Sequence, residues 1–258
     1  VISWGLIAKI QEIVLGGAMY RIFDAKLLIR LVIAVYFVFV AIVGAAYFFV
    51  TGAPISEIWL RVLGLSTTLS VTALIFFANN VCFFRVVWGL YMKIDKEAYP
   101  DISGNWKVEL QSNYPVYLAM AEAATDKDTS FDVFSPIDVD KIERKKMSGT
   151  AKIKVTFLDV SVKTSFDDGV NPSSESITLV ASPIKKVNGT TQHQLTYVYM
   201  SKRRDTPSDD DSEHYGAAWI DLTGDANNLV LEGYYWTKRN WRRAGNTAGR
   251  ITFTRAAD

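Results

Sequence analysis

Cysteine, histidine and net charge are what this chain has least of. Cys82 is the single cysteine among 258 residues, so an internal disulfide framework is excluded. Only His193 and His214 are available as imidazole ligands, and neither stands at metal-ligand spacing from the other or from Cys82. Gly-x-Ser-x-Gly, Walker and Gly-x-Gly-x-x-Gly signatures are all missing. With them go the usual marks of elbow-serine hydrolysis, P-loop phosphoryl transfer and dinucleotide redox chemistry. The chain is therefore read as a non-enzyme, with no catalytic residue, no metal site and no resident cofactor. The net charge is only +1, which leaves no broad basic footprint for a nucleic-acid polymer.

Charge is also missing from two long runs. Leu31 to Ser56 holds no charged side chain, and neither does Val62 to Phe84; Glu57 and Arg61 stand between them. A hydrocarbon core about 30 Å thick is crossed by a helix rising about 1.5 Å per residue, so each run is long enough to span. The expectation is a membrane anchor over residues 1–98 with spans at about 27–50 and 58–85. Ile2, Leu6, Ile10 and Ile13 share one face before the first span, which suits a helix on the membrane surface ended by Gly16-Gly17. Lys9, Glu12, Arg21 and Asp24 interrupt that early stretch and fit a signal peptide poorly. Lys26 and Arg30 precede the first span, Arg85, Lys93 and Lys96 follow the second, and the connection has no basic residue before Arg61. The positive-inside rule then places both termini and residues 99–258 in the cytoplasm. Ala41, Gly44 and Ala45 on one span, and Ser66, Ser70 and Ala73 on the other, allow close helix approach, within one subunit or between subunits.

Beyond residue 98 the periodicity changes from helical to alternating. Strands are expected near 104–111, 149–157, 158–166, 174–187, 192–203, 215–223, 228–237 and 248–255. Their connections include Asp167-Asp168-Gly169, Asn188-Gly189, Gly224-Asp225-Ala226-Asn227 and Ala244-Gly245-Asn246. Consecutive strands with short turns imply an all-β, antiparallel up-and-down small barrel, since closure removes exposed edges; a sandwich is the alternative. Gly104-Asn105-Trp106 opens the first strand, and Arg250 and Arg255 lie on the last. This resembles the lipocalin arrangement, in which a Gly-x-Trp tryptophan closes the barrel base under a basic side chain. Residues 113–147 do not fit the meander and read as an insertion, with a short helix near 116–124, able to cover an open end.

The densest chemical signal is Tyr234-Tyr-Trp-Thr-Lys-Arg-Asn-Trp-Arg-Arg243, with Tyr197, Tyr199, Lys202, Arg203 and Arg204 repeating the mixture on an earlier strand. Arginine pairs with phosphate through two donors, and aromatic faces stack on bases. Tyr197, Tyr199, Tyr235 and Trp236 are the candidate stacking residues; Arg203, Arg239 and Arg242 are the candidate phosphate ligands. Tyr235 and Trp236 are adjacent on one strand, so only one can point inward unless a bulge intervenes. The same residues also suit barrel packing, or a patch for anionic lipid headgroups. The acidic run Asp209-Asp210-Asp211 lacks the glycine and terminal glutamate of a calcium loop and reads as solvated.

Two spans followed directly by a β-rich domain, running from Pro100-Asp-Ile-Ser-Gly-Asn-Trp106 to Gly249-Arg-Ile-Thr-Phe-Thr-Arg255, resemble a known family. It is the two-transmembrane, β-strand-rich effectors of bacterial cyclic-oligonucleotide anti-phage signalling (CBASS). The resemblance implies a barrel that binds a cyclic dinucleotide made by a partner nucleotidyltransferase. It also implies oligomerisation through the transmembrane helices in the bacterial inner membrane, membrane disruption and death of the infected cell. The alternative is a membrane-tethered, lipocalin-like carrier or sensor of an apolar ligand, which would need an aliphatic interior without arginine. A third possibility is a scaffold whose barrel is filled solid and only presents a protein-binding surface.

Overall fold

The computed structural model describes residues 25–52, 55–95, 97–166, 174–186, 192–203, 211–224 and 228–256. The expected surface helix at 1–15, the turns at 167–169, 188–189 and 225–227, Arg204 and Asp205 to Asp210 lie outside them.

Two long helices come first: α1 (Ala25–Thr51) and α2 (Ile55–Ala78). Within them Val32–Thr51 and Trp59–Ala78 are each 20 residues long, with mean hydropathies of 2.5 and 1.7. Both are long and apolar enough to cross a membrane. Small residues set the approach between them. Ser66 and Ser70 are buried, Ser66 Oγ faces the Phe39 carbonyl at 3.4 Å, and the nearest atom to a Cβ on Gly44 would be Val62 Cγ1. Val43 and Val62 form the buried seam. Of the stripes expected from sequence, Gly44, Ser66 and Ser70 are thus used inside one hairpin of helices, whereas Ala41 and Ala45 are exposed.

The second long helix stops earlier than expected. Asn80 caps a new helix, α3 (Val81–Ile94), by accepting a hydrogen bond from Phe83 N at 2.9 Å. The apolar stretch Val81 to Phe84, read from sequence as the end of the span at 58–85, therefore belongs to a different element. Phe84 and Trp88 on α3 are fully buried against the barrel, and Trp88 Nε1 donates to the Tyr99 carbonyl at 2.8 Å. Burying two such side chains stabilises the joint by about 1.5–3 kcal/mol each. A boundary drawn at residue 98 consequently cuts through a packed core.

Eight strands follow: β1 (Gly104–Ser112), β2 (Lys145–Val155), β3 (Val160–Phe166), β4 (Ser174–Ile184), β5 (His193–Arg203), β6 (Glu213–Thr223), β7 (Val230–Thr237) and β8 (Ala248–Arg255). Each pairs antiparallel with the next, and β8 returns to β1 with Trp106 opposite Arg255, closing an up-and-down barrel. Inward side chains alternate with outward ones, as the period of two requires. The insertion between β1 and β2 carries α4 (Tyr114–Thr125) and α5 (Pro136–Lys141). Strand β2 begins at Lys145, four residues before its expected start at 149.

The barrel interior is stratified along its axis. At the end nearest α3 it is packed with apolar side chains, among them Ile153, Val160, Leu195, Ile220, Leu231 and Phe253. Trp106 lies fully buried at this base, its Nε1 donating to the Ile102 carbonyl at 3.0 Å. The Arg255 guanidinium sits 4.8 Å from the Trp106 ring centroid and donates to the carbonyls of Ser103 and Asp101. Of the two last-strand arginines considered, Arg255 takes the position over the tryptophan. Arg250 faces outward over Tyr234. Hydroxyls take over farther up: Ser112, Thr164, Ser176, Ser201 and Thr237 are all buried. Thr164 and Ser176 are hydrogen-bonded at 2.5 Å, and Thr237 and Thr247 at 2.9 Å.

Candidate ligand-binding cavity

A cavity of about 450 Å³ opens at the end of the barrel away from α3. That is a size able to enclose a ligand of several hundred daltons. Its floor is the hydroxyl layer, together with Leu110, Met147 and Ile251. Five tyrosines line its wall: Tyr197 and Tyr199 from β5, Tyr235 from β7, and Tyr114 and Tyr117 from α4. Lys145, Arg203, Arg239 and Arg243 supply positive charge, and among the described residues no carboxylate lines the cavity.

Alternation explains which residues reach this space. On β5, Leu195, Tyr197, Tyr199, Ser201 and Arg203 all point inward, so the strand carries an apolar base, an aromatic middle and a basic tip. On β7, Leu231, Tyr235 and Thr237 repeat the inward series. Trp236 therefore faces outward and is 49% exposed, as required of the neighbour of an inward tyrosine on a regular strand.

The rim after β7 is shaped by an unusual turn. Asn240 and Ala244, at φ of 45° and 54°, bracket a 3-10 turn over Trp241–Arg243. Alanine in the left-handed region costs roughly 1–2 kcal/mol. The turn is held from both sides: Asn240 N donates to Asp211 Oδ2 at 2.7 Å, and Tyr117 Oη donates to the Arg243 carbonyl at 3.1 Å. Asn113 ties the start of the insertion to Ala248 through two hydrogen bonds of 2.9 Å. Arg242 instead lies against Trp241, 5.6 Å from the ring centroid, and does not line the cavity.

Of the seven residues chosen from sequence, the cavity thus gathers Tyr197, Tyr199, Arg203, Tyr235 and Arg239. It leaves Trp236 and Arg242 outside. It adds Tyr114, Tyr117, Lys145 and Arg243. The aromatic–basic character of Tyr234 to Arg243 pointed toward Arg243. Tyr114 and Tyr117 stand at the start of the insertion, where no strand alternation indicated a direction.

Burial keeps the phenols of the cavity neutral. Burial pushes the Tyr197 hydroxyl well above the ordinary phenol range, and burial with Tyr235 beside it does the same for Tyr199. Burial also raises Tyr235, against the lowering effects of its hydrogen bond with Ser112 and of the positive charge on Arg239. These three phenols stay protonated at neutral pH and can donate hydrogen bonds. Among the described residues no carboxylate joins the rim cations in the lining, and the space is partly dehydrated, where charge-assisted bonds are stronger.

The closed end serves packing. His193 Nδ1 accepts from Lys186 N at 3.0 Å, and its ring meets Tyr99 edge-on at 5.4 Å. Among the described residues no three His, Cys, Asp or Glu side chains converge as metal ligands.

Compared with known proteins, the chain matches no protein-family model and no curated protein sequence.

Proposed function

We propose that this protein is a membrane effector switched by a cyclic dinucleotide, like the CBASS effectors its layout resembles. The observation that carries the proposal is the lining of the barrel cavity: five tyrosines and four basic side chains, with no acid among the described residues. A small ligand with flat rings and fixed negative charges satisfies both halves of that lining. The tyrosines stack on the bases and hydrogen-bond their edges, while Arg203, Arg239, Arg243 and Lys145 pair with the phosphates. A cavity closed below by an apolar core suits a compact messenger, since a polymer would need an open groove.

In this proposal α1 and α2 cross the bacterial inner membrane, with both termini and the barrel in the cytoplasm. A partner nucleotidyltransferase supplies the ligand, and bound barrels associate through the transmembrane helices until the membrane fails and the infected cell dies. The ligand must bind the assembled form better than the resting one; equal affinity for both would change nothing. The apolar-carrier reading asks for a hollow aliphatic interior. The aliphatic half of this barrel is packed, and the free volume lies where tyrosines, hydroxyls and basic side chains join Leu110, Met147, Phe166 and Ile251.

A thermal-shift screen of the full chain in detergent, against cyclic dinucleotides and a fatty acid, tests the proposal. At 100 times its dissociation constant a ligand stabilises the fold by about 2.7 kcal/mol. Stabilisation by at least one cyclic dinucleotide is expected. Stabilisation by the fatty acid alone would replace the proposal with the carrier.

A further inference from the structure

Helix α3 carries two apolar stripes, separated by about a third of a turn at 3.6 residues per turn. One side, with Phe84 and Trp88, is buried against the base of the barrel. The other exposes Phe83 (38%), Val86 (64%), Leu90 (56%) and Ile94 (86%), residues spaced three or four apart on one helical face. A surface helix of a water-soluble domain shows one apolar stripe, and an exposed second one marks a contact surface.

We infer that α3 lies in the bilayer interface, with its outer face among the lipids and its inner face holding the barrel. This rests on the proposal that α1 and α2 span the membrane. Three observations name lipid as the occupant. The exposed face continues the span surface: the Phe77 ring on α2 meets the Phe83 ring on α3 at 4.7 Å, with only Asn79 and Asn80 between the helices. The two charged residues of α3 are both basic and exposed: Arg85 pairs with Asp101 at 3.4 Å, and Lys93 is placed to meet anionic headgroups. The joint is also anchored from the barrel. Phe157, between β2 and β3, packs against Phe83 and Phe84 at 6.3 and 5.1 Å and donates its N–H to the Ala78 carbonyl at 3.1 Å.

Helix α3 is then a collar that fixes the closed end of the barrel against the membrane and turns the cavity mouth away from it. Span, collar and barrel base move together through the contacts Phe77, Phe83, Phe157 and Phe84, so a change in barrel packing reaches the spans without a flexible linker.

The test uses the full chain in vesicles of phosphatidylethanolamine and phosphatidylglycerol, with Cys82→Ser as background. Nitroxides are placed at Leu90→Cys and Val86→Cys, with Val71→Cys on the span and Glu109→Cys on the outer barrel wall as references. Accessibility to oxygen, which concentrates in lipid, is compared with accessibility to a water-soluble nickel chelate. Leu90 and Val86 are expected to favour oxygen, as Val71 does and Glu109 does not. If both match Glu109 while Val71 favours oxygen, the collar is wrong although the anchor stands. Shielding of both from either reagent would mean that protein covers the face, and overturns the inference equally. Nickel access at Val71 would refute the anchor, and the collar with it.

Discussion

The Tyr199 ring lies over Gly216, its cross-strand partner, so closely that a Cβ on Gly216 would overlap Tyr199 Cζ. Phe166 covers Gly149 in the same way, with Cδ1 2.5 Å from the corresponding position. Both glycines face inward, and both covering rings line the cavity. Their missing side chains let an aromatic ring lie flat along the wall, which keeps the cavity open above a filled core.

Gly216→Ala should therefore disturb both the ligand site and the strand pairing beside it. The added methyl displaces the Tyr199 ring and also meets the Trp236 backbone carbonyl at 2.8 Å, so the pairing of β6 with β7 must shift as well. Overpacking of this kind typically costs about 1–3 kcal/mol. The expected result is a modest fall in melting temperature together with weakened binding of the cyclic dinucleotide. Calorimetry and ligand titration on one preparation check both.

Paired substitutions separate the inward from the outward half of the aromatic–basic cluster. Tyr235→Ala should cost about 1–3 kcal/mol of binding, the usual range for one base–aromatic stack. Arg239→Ala should cost about 1.5–3 kcal/mol, as for a hydrogen bond to a charged group. Trp236→Ala and Arg242→Ala should leave affinity unchanged, because their side chains lie outside the cavity. Isothermal titration of the four variants decides the matter. Equal losses at Trp236 and Tyr235 would contradict the assignment.

The strands were legible because alternation survives even where β-propensity is ordinary, and closure followed from their number and short connections. Trp106 was readable as the base tryptophan through the lipocalin resemblance, but Arg250 and Arg255 were equal candidates for the side chain over it until the structure chose Arg255. Elsewhere local pattern was ambiguous. Val81 to Phe84 is as apolar as a membrane span, and only the Asn80 cap and the contacts of Phe84 reveal that it belongs to the barrel. Lys145 to Met147 was read with the insertion because Lys145-Lys146 looks like loop sequence. Strand pairing instead places Lys145 opposite Ser112 and turns it toward the cavity. At Tyr235 and Trp236 composition was symmetrical, and register chose between them.

Trp88→Ala should damage the whole barrel although Trp88 precedes its first strand. It removes a fully buried ring and the hydrogen bond to the Tyr99 carbonyl, with an expected loss of about 3–5 kcal/mol. Denaturant unfolding followed by tryptophan emission measures the loss. Val86→Ala, on the exposed face of the same helix, should change stability by less than about 0.5 kcal/mol.

Asp95 and Lys185, 2.8 Å apart, tie the end of α3 to the end of β4. The hydrogen bond from Lys185 holds the Asp95 carboxyl below its ordinary range, and the bond to Asp95 raises Lys185 above its own. The Asp95 contribution is therefore present above about pH 4 and disappears as pH falls through the lowered value. The Lys185 contribution is present below about pH 10 and disappears as pH rises through the raised value. Lys185→Met should lower stability at neutral pH by less than about 1 kcal/mol, because the pair is partly solvated, and should flatten the acid limb of the profile. Melting temperatures of both proteins from pH 3 to pH 7 would show it; an unchanged acid limb would contradict the pairing.

The central claim is that the tyrosine-lined, basic-rimmed cavity takes a cyclic dinucleotide. Equilibrium titration of the detergent-solubilised full chain with a panel of cyclic dinucleotides tests it most directly, repeated with Tyr235→Ala and Arg239→Ala. The account predicts saturable binding of at least one of them, one ligand per barrel, weakened by added salt and by both substitutions. Absence of binding across the panel, or binding indifferent to both substitutions, would contradict it.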